Sequence, residues 1–93
     1  MTLELQDIAV DFQRLDDATI ATFVVQEISF LKDVDEVQAE FREEIETRRP
    51  ARLIIDLERV TYISSAGIRM LVSILMQLRS YGGELSLCNL SQI

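Results

Sequence analysis

The sequence predicts an α/β protein with a mixed β-sheet, whose elements follow the order β-β-α-β-α-β and whose helices pack on the sheet. Three observations predict this class. Leu3–Phe12 alternates imperfectly and Ala18–Val25 is rich in β-branched residues, as is typical of strands. The dense apolar run Leu53–Ile55 is typical of a central strand covered on both faces. Two longer segments, one on each side of that run, carry apolar residues at helical spacing.

The N-terminal half is predicted to be a hairpin followed by an acidic amphipathic helix. The first two strands are expected to be joined by a polar turn at Arg14–Asp17, and Gln26–Asp33 fits either a strand extension or a packed loop. Asp33 is the expected N-cap of the helix, with Glu36 as its capping-box partner. The predicted buried face consists of Val34, Val37, Phe41 and Ile45, and Pro50 ends the helix.

The C-terminal half is predicted to contain a central strand, Arg52–Leu57, a second helix, Ser65–Tyr81, and a last strand, Glu84–Leu90. The second helix is apolar on nearly all sides, which is typical of a helix that is fully buried or that forms half of an interface. We expect a partner surface that includes Met70 and Ile74. The alternative is that a C-terminal helix missing from this chain would otherwise cover them.

Composition excludes several classes of function. The 93 residues are predicted to form a single domain, 1–93, and the net charge of −7 argues against binding of nucleic acid. The chain has no histidine and one cysteine, Cys88, so it lacks Ser-His and Cys-His pairs and the ligands of a structural zinc site. We therefore expect no enzyme activity, no metal and no cofactor. No signal peptide or transmembrane stretch is found, which predicts a cytoplasmic protein without membrane insertion.

The short stretch between the central strand and the second helix concentrates two hydroxyls and two small residues, Ser64-Ser65-Ala66-Gly67. Its local chemistry supports three interpretations. The serines can simply cap the helix. One of them can be a nucleophile, although the Gly-x-Ser-x-Gly elbow and a base are both absent. The third interpretation is a phosphoacceptor or anion-binding turn at the positive end of the helix dipole.

The stretch LIIDLERVTYISSAGIRMLVSIL resembles the signature of the STAS family, the domain of anti-sigma factor antagonists. The family typically carries an Asp-Ser-Ser/Thr-Gly-Leu turn, in which a partner kinase phosphorylates the serine after the aspartate. In this sequence Ser64 stands at the aspartate position, Ser65 at the phosphorylated serine and Gly67 at the glycine, while Asp56 matches a frequent acidic residue at the strand end. Ala66 replaces the second hydroxyl, and the chain ends about where the last helix of the family would begin.

This resemblance implies a regulator that works by partner switching. The unphosphorylated domain would bind a serine-kinase anti-sigma factor and free the sigma factor. Phosphorylation of Ser65, or of Ser64 as the fallback, would release the domain from the anti-sigma factor. A metal-dependent serine phosphatase would then reset the cycle. The alternative is a STAS scaffold that is never phosphorylated, or a subunit docked on a larger signalling or transporter ATPase assembly. The expected partner surface combines the turn with outward residues of the second helix: Ser64, Ser65, Ala66, Gly67, Arg69, Met70 and Ser73.

Overall fold

The computed structural model describes residues 10–28 and 31–90. Within these residues the chain forms, in order, β1 (Val10–Leu15), β2 (Ala18–Phe23), β3 (Glu27–Ile28), α1 (Leu31–Arg48), β4 (Arg52–Asp56), β5 (Tyr62–Ile63), α2 (Ser65–Arg79) and β6 (Glu84–Cys88). The predicted β-β-α-β-α-β order is confirmed. The short strand β3 lies in the segment predicted as a strand extension or a loop, but it pairs with β5 and not with the main sheet, and β5 was not predicted.

The main sheet has the strand order β1-β2-β4-β6. β1 and β2 form the predicted antiparallel hairpin, with Val10 opposite Phe23. β4 pairs in parallel with β2 and with β6, so that it has the interior position predicted for Arg52–Leu57. β3 and β5 form a separate parallel pair, which joins the segment before α1 to the segment before α2.

The core lies between one face of the main sheet and both helices. Ala21, Leu53 and Ile55 on that face are fully buried. A single hydrophobic cluster joins the sheet to the buried residues of α1 (Val34, Val37, Phe41 and Ile45) and of α2 (Met70, Ile74 and Leu78). On the opposite face Ile20 and Ile54 are only half-buried. In the described part of the chain the helices therefore cover one face of β4, and not the two faces that its apolar run predicted.

Helix α1 packs over the β1–β2 side of the sheet. The Phe41 ring meets Phe12 edge-on, with centroids 5.2 Å apart. The carboxylate of Glu44 is buried and accepts from Arg14 Nη2 at 2.6 Å, from Arg14 Nε at 3.0 Å and from the Thr19 hydroxyl at 3.4 Å. These contacts fix α1 against the first two strands and leave α2 to cover the β4–β6 side.

Several predicted boundaries differ from the observed ones: β2, β4, α2 and β6 each end one or two residues earlier than predicted, and two boundaries differ by more. β1 continues through Arg14 and Leu15 because Arg14 points to the helix-bearing face and pairs with Glu44, so the turn contracts to Asp16-Asp17. α1 begins at Leu31, which places Asp33 inside the first turn and not at the N-cap. The predicted strand segment 3–9 lies outside the described residues. No helix in the described ranges is long and apolar enough to cross a membrane.

Candidate functional site

The turn before α2 is held in place by β3. The Thr61 N–H donates to the Gln26 carbonyl at 2.7 Å, and the Ser64 N–H donates to the Ile28 carbonyl at 2.9 Å. Because a hydrogen bond fixes the backbone of Ser64, the direction in which α2 leaves the turn is set before the helix begins. The β3–β5 pair is therefore the support on which the two serines are presented.

Ser64 is the N-cap of α2. Its backbone is extended, with φ −77° and ψ 172°, and its Oγ accepts from the Gly67 N–H at 3.2 Å. Its carbonyl accepts the first helical bond, from the Ile68 N–H at 3.0 Å. The side chain is half-buried. The capping interpretation thus applies to Ser64, since its hydroxyl satisfies one of the free donors of the first turn.

Ser65 is the first residue of α2 and is exposed, as predicted. The first turn contains no acidic residue, so nothing on the helix opposes an anion at its positive end. Arg69, also exposed, follows at the i+4 position of the same helix, where a basic side chain can pair with an anionic residue at position i. Chemically, this position tolerates a phosphoryl group on the Ser65 hydroxyl.

Gly67 is buried, although we expected it in the accessible partner surface. A Cβ at Gly67 would lie 2.7 Å from Ile63 Cγ2, 3.0 Å from Ile28 Cγ2 and 3.0 Å from the Ile28 carbonyl oxygen. The glycine is required because α2 packs directly on the β3–β5 pair, inside the protein's own fold. It does not form part of an accessible surface.

The exposed side of α2 differs from the predicted one. Met70 and Ile74, expected in the partner surface, are each only 1% exposed. They follow Gly67 at helical spacing and continue the face that meets the core. The large apolar side chains that do face outward are Ile68 (53% exposed), Val72 (49%) and Met76 (66%). Of the other predicted positions on the helix, Arg69 and Ser73 are exposed and Ala66 is half-buried.

Asp56 has a structural role at the carboxyl end of β4. Its Oδ1 accepts from the Glu58 N–H at 3.0 Å and from Asn89 Nδ2 at 2.8 Å. These bonds tie the end of β4 to its own loop and to the end of β6. Burial raises the pKa of the neighbouring Cys88 thiol, and the Asp56 carboxylate raises it further.

Among residues 10–28 and 31–90, no cluster of His, Cys, Asp and Glu is arranged to hold a metal ion.

Comparison with known proteins supports the family resemblance. The STAS domain family matches residues 9–93. BtrV of Bordetella bronchiseptica, named as an anti-sigma factor antagonist, is 38% identical over 58 residues, covering 62% of this chain and 49% of BtrV. The matching segment thus spans about half the length of that relative.

Solved structures share the fold. The unphosphorylated anti-sigma factor antagonist SpoIIAA superimposes with a TM-score of 0.71 at 16% identity, over 85% of this chain and 71% of that chain. The phosphorylated form of the Bacillus protein gives 0.68 at 15% identity, over 83% and 68%. An antagonist STAS domain from Rhodobacter sphaeroides gives 0.69 at 18% identity, over 89% and 87%. From the family match over nearly its whole length, we conclude that this chain belongs to the STAS domain family.

Proposed function

We propose that this chain is an anti-sigma factor antagonist that acts by partner switching. Unphosphorylated, it binds a serine-kinase anti-sigma factor, which releases the sigma factor for transcription. Phosphorylation of Ser65 by that kinase dissociates the complex, and a metal-dependent phosphatase restores the binding form. The chain is then a substrate and a binding partner, and not an enzyme. The similarity to BtrV supports this proposal.

The observation that carries the proposal is the different environment of the two serines. Ser65 is exposed at the first position of α2, whereas the Ser64 hydroxyl is half-buried and accepts from the Gly67 N–H. A kinase needs an accessible hydroxyl, and this requirement favours Ser65 over Ser64. In a STAS domain this pair lies in the turn where the family resemblance places the phosphoacceptor.

Phosphorylation is expected to act on binding rather than on folding. A phosphoryl group adds about −1.5 to −2 charges at the positive end of α2, where the helix dipole stabilises it. The phosphoryl group can also pair with Arg69, one helical turn further on. This order, with the anion N-terminal to the cation, is more favourable than the reverse order. At a partner surface the same group brings bulk, and its hydration shell is costly to remove.

The proposed binding surface combines Ser65 and Arg69 with the outward apolar residues of α2. Ile68 and Val72 follow Ser65 along the exposed side, and Met76 continues the same row. A solvent-facing row of this kind, beside a small hydroxyl, suits a partner with a shallow apolar groove. Ser73 lies on the flank of this row.

The first test is the intact mass of the purified chain after incubation with its kinase and ATP. We expect one added phosphoryl group on wild type and on Ser64→Ala, and none on Ser65→Ala. A phosphoryl group that persists in Ser65→Ala and disappears in Ser64→Ala would move the acceptor to Ser64. No modification of any variant would favour the scaffold alternative.

The second test is partner binding by calorimetry. Ser65→Ala should bind the anti-sigma factor permanently, and Ser65→Glu should bind it poorly while melting within a few degrees of wild type. Ser86→Glu serves as the matched control, because it adds the same charge at an exposed serine of β6, outside the proposed binding surface. Equal affinity of wild type, Ser65→Ala and Ser65→Glu would contradict the switch.

A further inference from the structure

Arg69 lies one helical turn beyond Ser65 on the exposed side of α2. Both residues are exposed, and because they are four positions apart their side chains leave the helix as neighbours. Val72 and Met76 continue the same side of the helix toward its C-terminus. The Cβ atoms of residues at this spacing are roughly 5–6 Å apart, so a protein that covers the Ser65 hydroxyl also covers the base of the Arg69 side chain.

The described part of the chain provides no paired anion for the Arg69 guanidinium. The two ion pairs among the described residues are formed by Arg14 and by Arg52. Neither pair includes Arg69, and neither includes Asp35, which is exposed near the start of α1. The whole of α2, Ser65–Arg79, contains no acidic residue. Within the described residues, Arg69 is therefore an exposed cation whose charge no ion pair neutralises.

Most exposed carboxylates of α1 lie away from α2. The groove between the helices is lined by Gln38, Arg42 and Glu46 of α1, and Gln77 donates to the Arg42 carbonyl there, two turns beyond Arg69. At about 3.6 residues per turn, a second row of exposed residues falls on the other side of α1. That row consists of Glu36, Glu40 and Glu43. The outward side of α2 is thus locally basic in a chain of net charge −7.

We propose that Arg69 binds a carboxylate of the anti-sigma factor, and that a phosphoryl group on Ser65 competes with this carboxylate for Arg69. The inference rests on the proposed function, because the contact area must include Ser65 if its phosphorylation dissociates the complex. A guanidinium inside that area is removed from water, which is costly unless an opposite charge pairs with it. The partner therefore presents an anionic group at Arg69, beside its apolar contacts with Val72 and Met76.

Phosphorylation reverses the local charge at this position. Ser65 and Arg69 together carry one positive charge before modification. A phosphoryl group of about −1.5 to −2 changes that sum to about −0.5 to −1. Because the phosphoryl group precedes Arg69 by one turn, the two can pair along the helix. The partner's carboxylate then loses its cation and meets a charge of its own sign, and both effects weaken the complex while the fold is unchanged.

The pair within the helix can be tested without a kinase or a partner, on the chain with phosphoserine introduced at position 65 during synthesis. Phosphorus NMR follows the second pKa of phosphoserine, which is ordinarily about 6. Arg69 stabilises the dianion, so this pKa should be lower in wild type than in Arg69→Gln. Arg79→Gln is the matched control and should resemble wild type, because Arg79 is exposed on the same helix about 15 Å further on. Equal pKa values in wild type and Arg69→Gln would exclude the pair.

Calorimetry with the anti-sigma factor tests the partner's carboxylate. Arg69→Gln should weaken binding of the unphosphorylated chain by at least about tenfold, because it leaves a buried carboxylate unpaired. Arg69→Lys should bind better than Arg69→Gln, and Arg79→Gln should bind like wild type. Added salt should weaken wild type more than Arg69→Gln, since it screens an ion pair. Equal affinity of wild type and Arg69→Gln, or equal losses in Arg69→Gln and Arg79→Gln, would overturn the inference.

A double-mutant cycle distinguishes competition for Arg69 from repulsion alone. The loss of affinity caused by Ser65→Glu should be smaller in the Arg69→Gln background, by at least about twofold, because no arginine remains to be withdrawn. Equal losses in both backgrounds would contradict competition. If Ser65→Glu weakens binding and Arg69→Gln does not, the switch is supported and this inference fails. If only Arg69→Gln weakens binding, the partner's carboxylate is supported and the switch fails.

Discussion

Gly67→Ala tests directly how the serine turn is held. The added methyl group would lie 2.7 Å from Ile63 Cγ2 and 3.0 Å from the Ile28 carbonyl oxygen. Ile63 is β-branched and stiff about χ1, so it cannot easily rotate away. The Ile28 carbonyl is held as well, because it accepts the Ser64 N–H at 2.9 Å. The start of α2 must therefore shift outward, together with Ser64 and Ser65.

The expected cost follows from two opposing effects. Overpacking of this kind destabilises a protein by roughly 1–3 kcal/mol. Replacing glycine by alanine in a helix stabilises it by at most about 1 kcal/mol, and less in the first turn. The free energy of unfolding should therefore fall by about 1 kcal/mol, which lowers Tm by roughly 4–8 °C for a domain of this size.

Thermal melting measures the cost, and Gly82→Ala provides the control. Gly82 has φ 89°, and a methyl group added there would meet no atom within 4 Å, so alanine costs stability through backbone strain alone, again about 1 kcal/mol. Phosphorylation of Ser65 should slow in Gly67→Ala and not in Gly82→Ala. An unchanged Tm for Gly67→Ala combined with lost partner binding would refute the packing argument and would indicate that the glycine leaves room for a partner.

Three further predictions concern neighbouring residues. Ser64→Ala should lower the free energy of unfolding, measured in urea, by about 1 kcal/mol, because the Gly67 N–H loses its acceptor. Ser64→Asp should keep most of the wild-type stability. Equal stability of wild type and both variants would argue against Ser64 as the N-cap. Met70→Ala should lower the free energy of unfolding by about 2–5 kcal/mol, because it truncates a core side chain. Val72→Asp, at an exposed position, should stay within about 0.5 kcal/mol of wild type in the same titration while it weakens partner binding. The reverse order of stabilities would place Met70 at the surface. Burial and the Asp56 carboxylate raise the pKa of the Cys88 thiol, so a smaller fraction of Cys88 is thiolate at mildly alkaline pH. Asp56→Asn should therefore accelerate alkylation of Cys88 by iodoacetamide. An unchanged rate would show that Asp56 does not act on the thiol.

The order of elements and the place of Ser65 could be predicted because they depend on local patterns. The apolar run of β4 and the β-branched residues of β2 indicate strands whatever surrounds them. The hydroxyl pair before an apolar helical segment indicates a helix start. The start of α2 at Ser65 and the exposure of that residue then follow from the geometry of a first helical turn.

The orientation of α2 could not be predicted in the same way. When apolar residues occur on every side of a helix, periodicity alone does not distinguish the buried face from the exposed one. The residue that decides it is Gly67, because a buried glycine marks the side on which the helix approaches other elements closely. From Gly67, helical spacing leads to Met70, Ile74 and Leu78, the face that is in fact buried. Met70 was placed in the partner surface because the helix is apolar on nearly all sides, and the packing meaning of Gly67 was not used to choose the buried face.

The element that the sequence did not indicate, the β3–β5 pair, explains why this orientation matters for the proposed switch. Two-residue strands are too short to show a periodicity in the sequence. The β3–β5 pair nevertheless packs against Gly67 and fixes the Ser64 backbone by a hydrogen bond. The turn therefore has a rigid inner side, made of Ile28, Ile63 and Gly67, and an exposed outer side that carries Ser65. A phosphoryl group on the outer side meets none of these inner contacts. For this reason the proposed modification can alter what binds α2 while the fold that presents it stays the same.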